Sequence, residues 1–319
     1  MPVAKNGDLV TIVTVTYNAE DLLEETLLSV INQSYKNIEY IIIDGASLDE
    51  TVNIIKKYED KLTYWISEPD EGIYFAMNKA IKKATGTWIN FMNAGDTFFD
   101  LNTVKDVMQQ KDDQAELIYG NFQTKENSIV KKAWDQSQWY LHMPFCHQTL
   151  FTRTNLMKKE LFNTNFKLDA DQNFIVKMYK EKKIFCYIDE TLAIFDLGGF
   201  AESNKFLMRI ESLKILLDHK VPQEEIYQSD WYKNLSKDIC VTDKNYITYL
   251  EKEIKDKEKI IHTQENHFKQ LSSLQNAVQN LTNYSIWKQP LKKFKSYKAM
   301  LLTYHKIKKL LGEFKVGNK

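Results

Sequence analysis

Residues 9–51 read LVTIVTVTYNAEDLLEETLLSVINQSYKNIEYIIIDGASLDET, and the order of segments in this stretch decides the fold class. Leu9–Thr16 is a β-branched run, the pattern of a strand buried on both faces of a parallel sheet. It stops at Tyr17-Asn18, and Ala19–Gln33 then carries Leu22, Leu23, Leu27, Val30 and Ile31 at helical spacing. Ile38–Ile43 is a second apolar run, closed by Asp44-Gly45. Ser47 with Glu50 three residues on reads as a capping box that opens the next helix.

Outward from this unit the alternation continues. Leu62–Ile66 reads as a third strand, Ser67–Gly72 as a loop, Ile73–Ala84 as a helix broken by Gly86, and Trp88–Met92 as a fourth strand. Strands and helices at this spacing predict an α/β, Rossmann-like fold whose mostly parallel sheet is flanked by helices. Such sheets bind ligands at the carboxyl ends of their strands, near a topological switch point. The polar clusters fall at those ends: Thr16-Tyr17-Asn18, Asp44, Glu68–Gly72 and Asn93–Asp96. Past residue 97 the pattern thins to a strand at Leu117–Tyr119, a hairpin within Asn121–Lys132 and a His-, Gln- and Thr-rich segment at Phe145–Phe151. Helix dominates from Lys205.

The 319 residues suit one domain over 1–210 and a helical extension over 211–319. Zero net charge hides an asymmetry: residues 1–210 hold 23 Lys and Arg against 30 acids, and residues 211–319 hold 20 against 13. Within the extension, 244–283 carries Ile247, Leu250, Ile254, Ile261, Phe268 and Leu271 near a 3.5-residue repeat. That stripe fits either pairing of two copies as a homodimer or packing on its own domain. From Tyr284 to Lys319 ten lysines interleave with apolar residues, which fits either an interfacial helix on an anionic membrane or a solvated helix. The acidic body argues against a nucleic-acid partner.

No run of 18 apolar residues and no signal-peptide pattern occurs, so a cytoplasmic protein is expected, with the tail able to hold it to the inner face of the membrane. Cys146, Cys186 and Cys240 are scattered and read as reduced thiols. No G-x-G-x-x-G, Walker loop, HExxH or nucleophile elbow is present. Carboxylates at sheet ends remain, and these suit a phosphate-bearing ligand held through Mn²⁺ or Mg²⁺.

Residues 9–51 and the continuation SEPDEGIYFAMNKAIKKATGTWINFMNAGDTFF (67–99) resemble the inverting glycosyltransferases often called family 2. FCHQTLF (145–151), LDADQNF (168–174) and FDLGGFAESN (195–204) follow in the family's order. The resemblance implies a GT-A fold and transfer of a sugar from a nucleotide-sugar, with UDP favoured, to an acceptor hydroxyl. Asp44 is implied as acceptor for the uracil imide, with Thr16, Tyr17, Asn18, Asp70, Gly72, Asn78 and Asn93 around the nucleotide. Many relatives show Asp-x-Asp-Asp after the fourth strand, whereas this chain shows Asn93-Ala94-Gly95-Asp96, a form found in a subgroup. Asp96 is then the carboxylate left for a metal. Asp171 matches the catalytic base, with Asp169 as the alternative, and His147 and Gln148 face the site from the other side. The basic tail suits a lipid-linked saccharide acceptor, as in bacterial surface polysaccharide synthesis. A non-catalytic nucleotide-sugar-binding relative and a nucleotidyltransferase stand as the other readings.

Overall fold

The computed structural model describes residues 7–133, 145–196 and 204–228. Two compact units divide the chain, Met1–Val221 and Pro222–Lys319. The helical stripe of 244–283, read as either pairing or packing on its own domain, and the basic tail (284–319) lie outside the described residues, as do Gly198 and Gly199.

Strand β1 (Val10–Thr16) is buried along its whole length because it runs between β2 (Ile38–Asp44) and β4 (Trp88–Phe91), parallel to both. β3 (Tyr64–Ser67) pairs in parallel with β2. The spatial order β3-β2-β1-β4 means that the chain steps outward from β1 to β3 and then returns to the far side of β1. That reversal opens a crevice at the carboxyl ends of β1 and β4.

Beyond β4 the sheet is mixed. β5 (Thr97–Phe98), β6 (Leu117–Thr124), β7 (Val130–Lys131), β8 (Phe151–Arg153) and β9 (Phe185–Phe195) follow. β8 runs antiparallel to β4 and β6, β7 closes the hairpin on β6, and β9 is parallel to β6 and antiparallel to β5.

Alternating side chains of β1 serve two cores. Val13 and Val15 pack with Met77 and Ile81 of α3 (Ile73–Lys83) and with Phe174 and Ile175 of α6 (Ala170–Lys180). Val10 and Ile12 face Leu23 and Leu27 of α1 (Leu23–Ile31), Ile55 of α2 (Thr51–Lys57) and Val104 of α4 (Thr103–Gln110). The sheet is thus covered on both faces, as the unbroken apolar runs require. α5 (Thr154–Glu160) and α7 (Lys205–Asp218) complete the first unit's helices among the described residues.

One expected local feature differs. Ser47 does not open α2 as a capping box, because its N–H and hydroxyl donate to Asp44 (3.0 and 2.5 Å) and its oxygen accepts from Asn18 N–H (2.8 Å). Glu50 stands at the helix start without a side-chain cap bond. A buried carboxylate offers the hydroxyl a charge-assisted bond, stronger than one between neutral groups.

Glu39 anchors the opposite, amino end of the sheet. It accepts from Thr11 Oγ1 (2.5 Å), Thr85 N–H (2.7 Å) and Thr85 Oγ1 (2.6 Å). Burial alone would raise its carboxyl, but these bonds hold it below its ordinary value. The ionised form is therefore favoured by folding. Its contribution is complete above the unfolded-chain value of about 4.3 and is lost as pH falls through the lower, folded value. Glu39→Gln should cost about 1.5–3 kcal/mol at pH 7, and the gap from wild type should narrow below about pH 4. Urea midpoints at the two pH values read this directly.

Candidate active site

The parallel register levels Thr16 with Asp44 and Asp44 with Ser67 along the carboxyl edge. Asp44 is fully buried, and its Oδ2 accepts from Ser47 N–H (3.0 Å) and Ser67 Oγ (2.6 Å). With Ser47 Oγ on Oδ1, the carboxylate is enclosed by protein donors and orders the loops after β2 and β3. Beside it, Thr16 Oγ1 is buried without a hydrogen-bond partner. Asn18 adopts a positive φ of 47° and accepts from Leu48 N–H (2.9 Å), tying the β1 loop to the β2 loop. Tyr17 is 61% exposed and its ring lies along Gly45, where an added Cβ would approach Cδ2 to 3.3 Å.

The loop after β3 supplies Asp70, ion-paired with Lys79 (2.8 Å), and Gly72, whose φ of 147° begins α3. Asn78 turns elsewhere. Its amide donates to Phe162 O and accepts from Phe162 N–H (both 2.9 Å), a reciprocal tether between α3 and the segment after α5.

Residues far along the chain reach the same edge for topological reasons. β8 is antiparallel to β4, so the short 3₁₀ turn His147–Thr149 that precedes it lies at the carboxyl end of β4. Asn93 Nδ2 lies 3.0 Å from His147 Nε2, and His147 Nδ1 lies 3.0 Å from Asp171 Oδ2. Asp171 Oδ1 accepts from Gln172 N–H (2.9 Å) and from Tyr74 Oη (2.9 Å). The next residue in the turn, Gln148, donates to Asp96 Oδ2 (2.6 Å), while Asp196 N–H donates to Oδ1 (3.0 Å). One two-residue step thus joins the two carboxylates expected to carry the chemistry.

Each of the two partners favours the charged form of the other. Burial works against a charged His147 ring, but the hydrogen bond and charge of Asp171 outweigh it and raise its pKa. For Asp171 burial works upward, and His147 with Tyr74 holds the carboxyl below its ordinary value. Burial pushes Asp96 up to about 6 despite the bonds from Asp196 and Gln148. Asp169 goes further, to about 8, because burial and the charges of Asp171 and Glu211 outweigh its bond from Ser212. The two aspartates of LDADQNF therefore differ: Asp171 is ionised at neutral pH and Asp169 is mostly protonated.

Among the described residues no group of three or more His, Cys, Asp or Glu is arranged to hold a metal. Asp96 is nevertheless a suitable hard ligand, and Asn93 Oδ1 and Gln148 Oε1 are buried oxygens without hydrogen-bond partners. Such an oxygen-rich, under-satisfied corner fits an ion that keeps waters and a ligand's phosphates in its shell.

Thr16, Asn93, Asp96, His147, Gln148 and Asp171 thus gather at the crevice, whereas the Asn78 amide is engaged with Phe162. Tyr74, Asp196, Glu211 and Ser212 also belong here by contact and were not singled out in the sequence. Glu211-Ser212 left a signal: a polar pair set between the apolar Ile210 and Leu213.

The sequence model of glycosyl transferase family 2 matches residues 11–184. A PGL/p-HBAD biosynthesis glycosyltransferase of Mycobacterium bovis is 26% identical over 212 residues, 63% of this chain and 83% of its own. An uncharacterized glycosyltransferase of Mycobacterium tuberculosis is 41% identical over 90 residues, 28% of this chain and 34% of its own. Among solved structures, S. aureus TarS 1-349 in complex with UDP-GlcNAc is similar with a TM-score of 0.55 at 17% identity, over 85% of this chain and 80% of that one. Mannosyltransferase PcManGT from Pyrobaculum calidifontis, in complex with GDP-Man and Mn²⁺, gives 0.57 at 15% identity, over 74% and 75%. At these identities the structural likeness speaks for the fold.

Proposed function

The chain belongs to glycosyl transferase family 2, and from that premise we propose that it transfers a sugar from a UDP-sugar to an acceptor hydroxyl by a single inverting displacement, with Asp171 as base. The observation that carries this reading is the link through His147 and Gln148 between a carboxylate ionised at neutral pH (Asp171) and the carboxylate at the switch point (Asp96). A base must be unprotonated and within reach of the hydroxyl proton. Asp171 meets the first condition, and Asp169, held by Ser212 and mostly protonated, does not.

The nucleotide lies, in this reading, across Thr16, Tyr17, Asn18, Asp70, Gly72 and Asn93. Asp44, whose carboxylate also holds the Ser47 and Ser67 hydroxyls, is in this reading the acceptor for the uracil imide. The Asn93-Ala94-Gly95-Asp96 form belongs with the subgroup noted above, and Asp96 would hold Mn²⁺ or Mg²⁺. When bound, such an ion neutralises charge on a departing diphosphate. Asp171 takes the acceptor proton, His147 orients Asp171, and Gln148 fixes Asp96.

The acceptor we assign is a lipid-linked saccharide, supported by the lysine-rich sequence of 284–319. Among the described residues no helix is long and apolar enough to cross a membrane. The division at 210, the homodimer through 244–283 and peripheral membrane binding belong to the same proposal.

Thermal stabilisation by UDP, GDP and dTDP, each with and without Mn²⁺, is the direct test. A nucleotide at one hundred times its Kd should raise Tm by about 5–10 °C, with UDP plus Mn²⁺ giving the largest shift. A larger shift with GDP would replace the donor class. No shift with any nucleotide would remove the transferase reading. Inversion is read from the anomeric configuration of the first product by NMR, and retention would overturn it.

A further inference from the structure

The segment that carries the proposed base does not hold itself in place. Asp169 is the N-cap residue of α6, and its side chain makes no cap bond to that helix. It turns to Ser212 on α7, whose hydroxyl lies 2.5 Å from Asp169 Oδ2 and 2.8 Å from Gln172 Oε1. Glu211, the preceding residue of α7, places its carboxylate against three successive backbone N–H groups. Lys167 N–H reaches both oxygens (2.9 and 3.0 Å), and Leu168 N–H (2.8 Å) and Asp169 N–H (3.1 Å) reach Oε2. Glu211 is only 7% exposed, so this carboxylate was taken out of water to make these bonds.

A stretch of three aligned N–H groups before a helix satisfies its donors locally or leaves them to water. Here a carboxylate from a helix some forty residues later does it, through charge-assisted bonds. The same stretch receives Tyr74: its hydroxyl lies 2.6 Å from Leu168 O and 2.9 Å from Asp171 Oδ1. Residues 167–172 are therefore gripped by α7 on the N–H side and by α3 on the carbonyl side, with Asp171 between the grips.

We propose that Glu211, with Ser212, is the positioning residue of this active site, setting the 167–169 turn so that Asp171 meets His147 and faces the acceptor. This rests on the reading of Asp171 as base, but its geometric claim can be tested without any donor. The probe is His147, whose pKa is raised by the carboxylate 3.0 Å away. The charged and titratable groups acting on that ring are Asp171 and Asp96, and Glu211 is not among them. Asp171→Asn, which removes the partner's charge, calibrates the full fall in the His147 pKa.

The experiment is an NMR titration of His147 in the full chain for wild type, Asp171→Asn, Glu211→Gln, Glu211→Asp and Ser212→Ala. Glu211→Asp keeps the charge and withdraws it by one methylene. Ser212→Ala changes no charge and serves if the Glu211 variants fold poorly. Positioning predicts that Glu211→Gln and Glu211→Asp each lower the His147 pKa by at least half of the Asp171→Asn fall. Ser212→Ala should lower it by a smaller, measurable step, and amide exchange at 167–169 should quicken at least tenfold in both Glu211 variants.

A fall confined to Glu211→Gln would mean a through-space charge effect, and an unchanged His147 in every Glu211 and Ser212 variant would mean a purely structural anchor. Either overturns the proposal. On whichever nucleotide-sugar the wild type turns over, Glu211→Asp should lower kcat at least tenfold with donor KM within twofold. If the wild type turns over none, the transferase reading fails while the His147 titration still decides the positioning claim.

Discussion

Replacing Asp171 with Asn should slow sugar transfer by about 10³-fold while nucleotide binding, read by thermal shift, stays at the wild-type level. The exchange keeps shape and leaves Oδ1 free to accept from Gln172 N–H and Tyr74 Oη. What changes is the atom facing His147 Nδ1, 3.0 Å away, which becomes an N–H donor where an acceptor stood. The ring must then accept at Nδ1 and donate at Nε2, so the Asn93 amide opposite must turn its oxygen toward it. The variant loses both the base and the tautomer that the base imposes.

Asp171 works ionised and its carboxyl is held below the ordinary value, so the limb it governs lies below about pH 4. Activity should be complete above that limb and fall as pH drops through it. A limb between pH 5 and 8 that disappears in a His147 variant would belong to the ring. Near-normal turnover by Asp171→Asn would remove the residue from the base role.

The first four strands were legible because their signal is local. β1 reads as a buried strand from Val10, Ile12, Val13 and Val15 alone, and the helix after β3 from Met77, Ala80 and Ile81 one turn apart. Parallel βαβ order then gives the carboxyl edge, and with it Thr16, Asp44 and Asn93, without any knowledge of tertiary contacts. The reading of Asn78 as a nucleoside contact rested on its position in a motif. An amide is as well suited to pairing with a backbone, and Phe162 offered both an N–H and a carbonyl.

Long-range pairings were not legible. No spacing predicts that a turn at 147–149 should meet both Asp96 and Asp171, because that depends on β8 entering antiparallel beside β4. Ser47 misled for a related reason. The capping-box pattern was sound locally, but Asp44, buried at the end of β2, captured the side chain first. Burial of polar groups is a tertiary property, so the sequence offers Asp169 as the alternative base, and its capture by Glu211 and Ser212 is seen only when α7 packs against the start of α6.

Asp96→Asn should abolish the Mn²⁺-dependent part of nucleotide stabilisation and lower transfer by about 10²–10³-fold, since an ion on a leaving diphosphate supplies several kcal/mol. The apo protein should change far less, because two effects oppose. The new amide sets an N–H₂ against either Asp196 N–H or Gln148 Nε2, leaving one buried donor unmatched, at a cost of about 1–3 kcal/mol. Against this, burial already disfavours the Asp96 charge enough to carry its pKa to about 6, so removing that charge relieves a strain present at neutral pH. Thermal melts therefore separate the two roles. A Tm within a few degrees of wild type without ligand, and no added shift when Mn²⁺ joins the nucleotide, marks Asp96 as the metal's carboxylate. If the Mn²⁺-dependent shift survives in Asp96→Asn, the ion rests on the nucleotide or on another residue. Asp96 would then be a structural acceptor that joins β9 to the turn at His147, and transfer should fall only in proportion to the loss of stability.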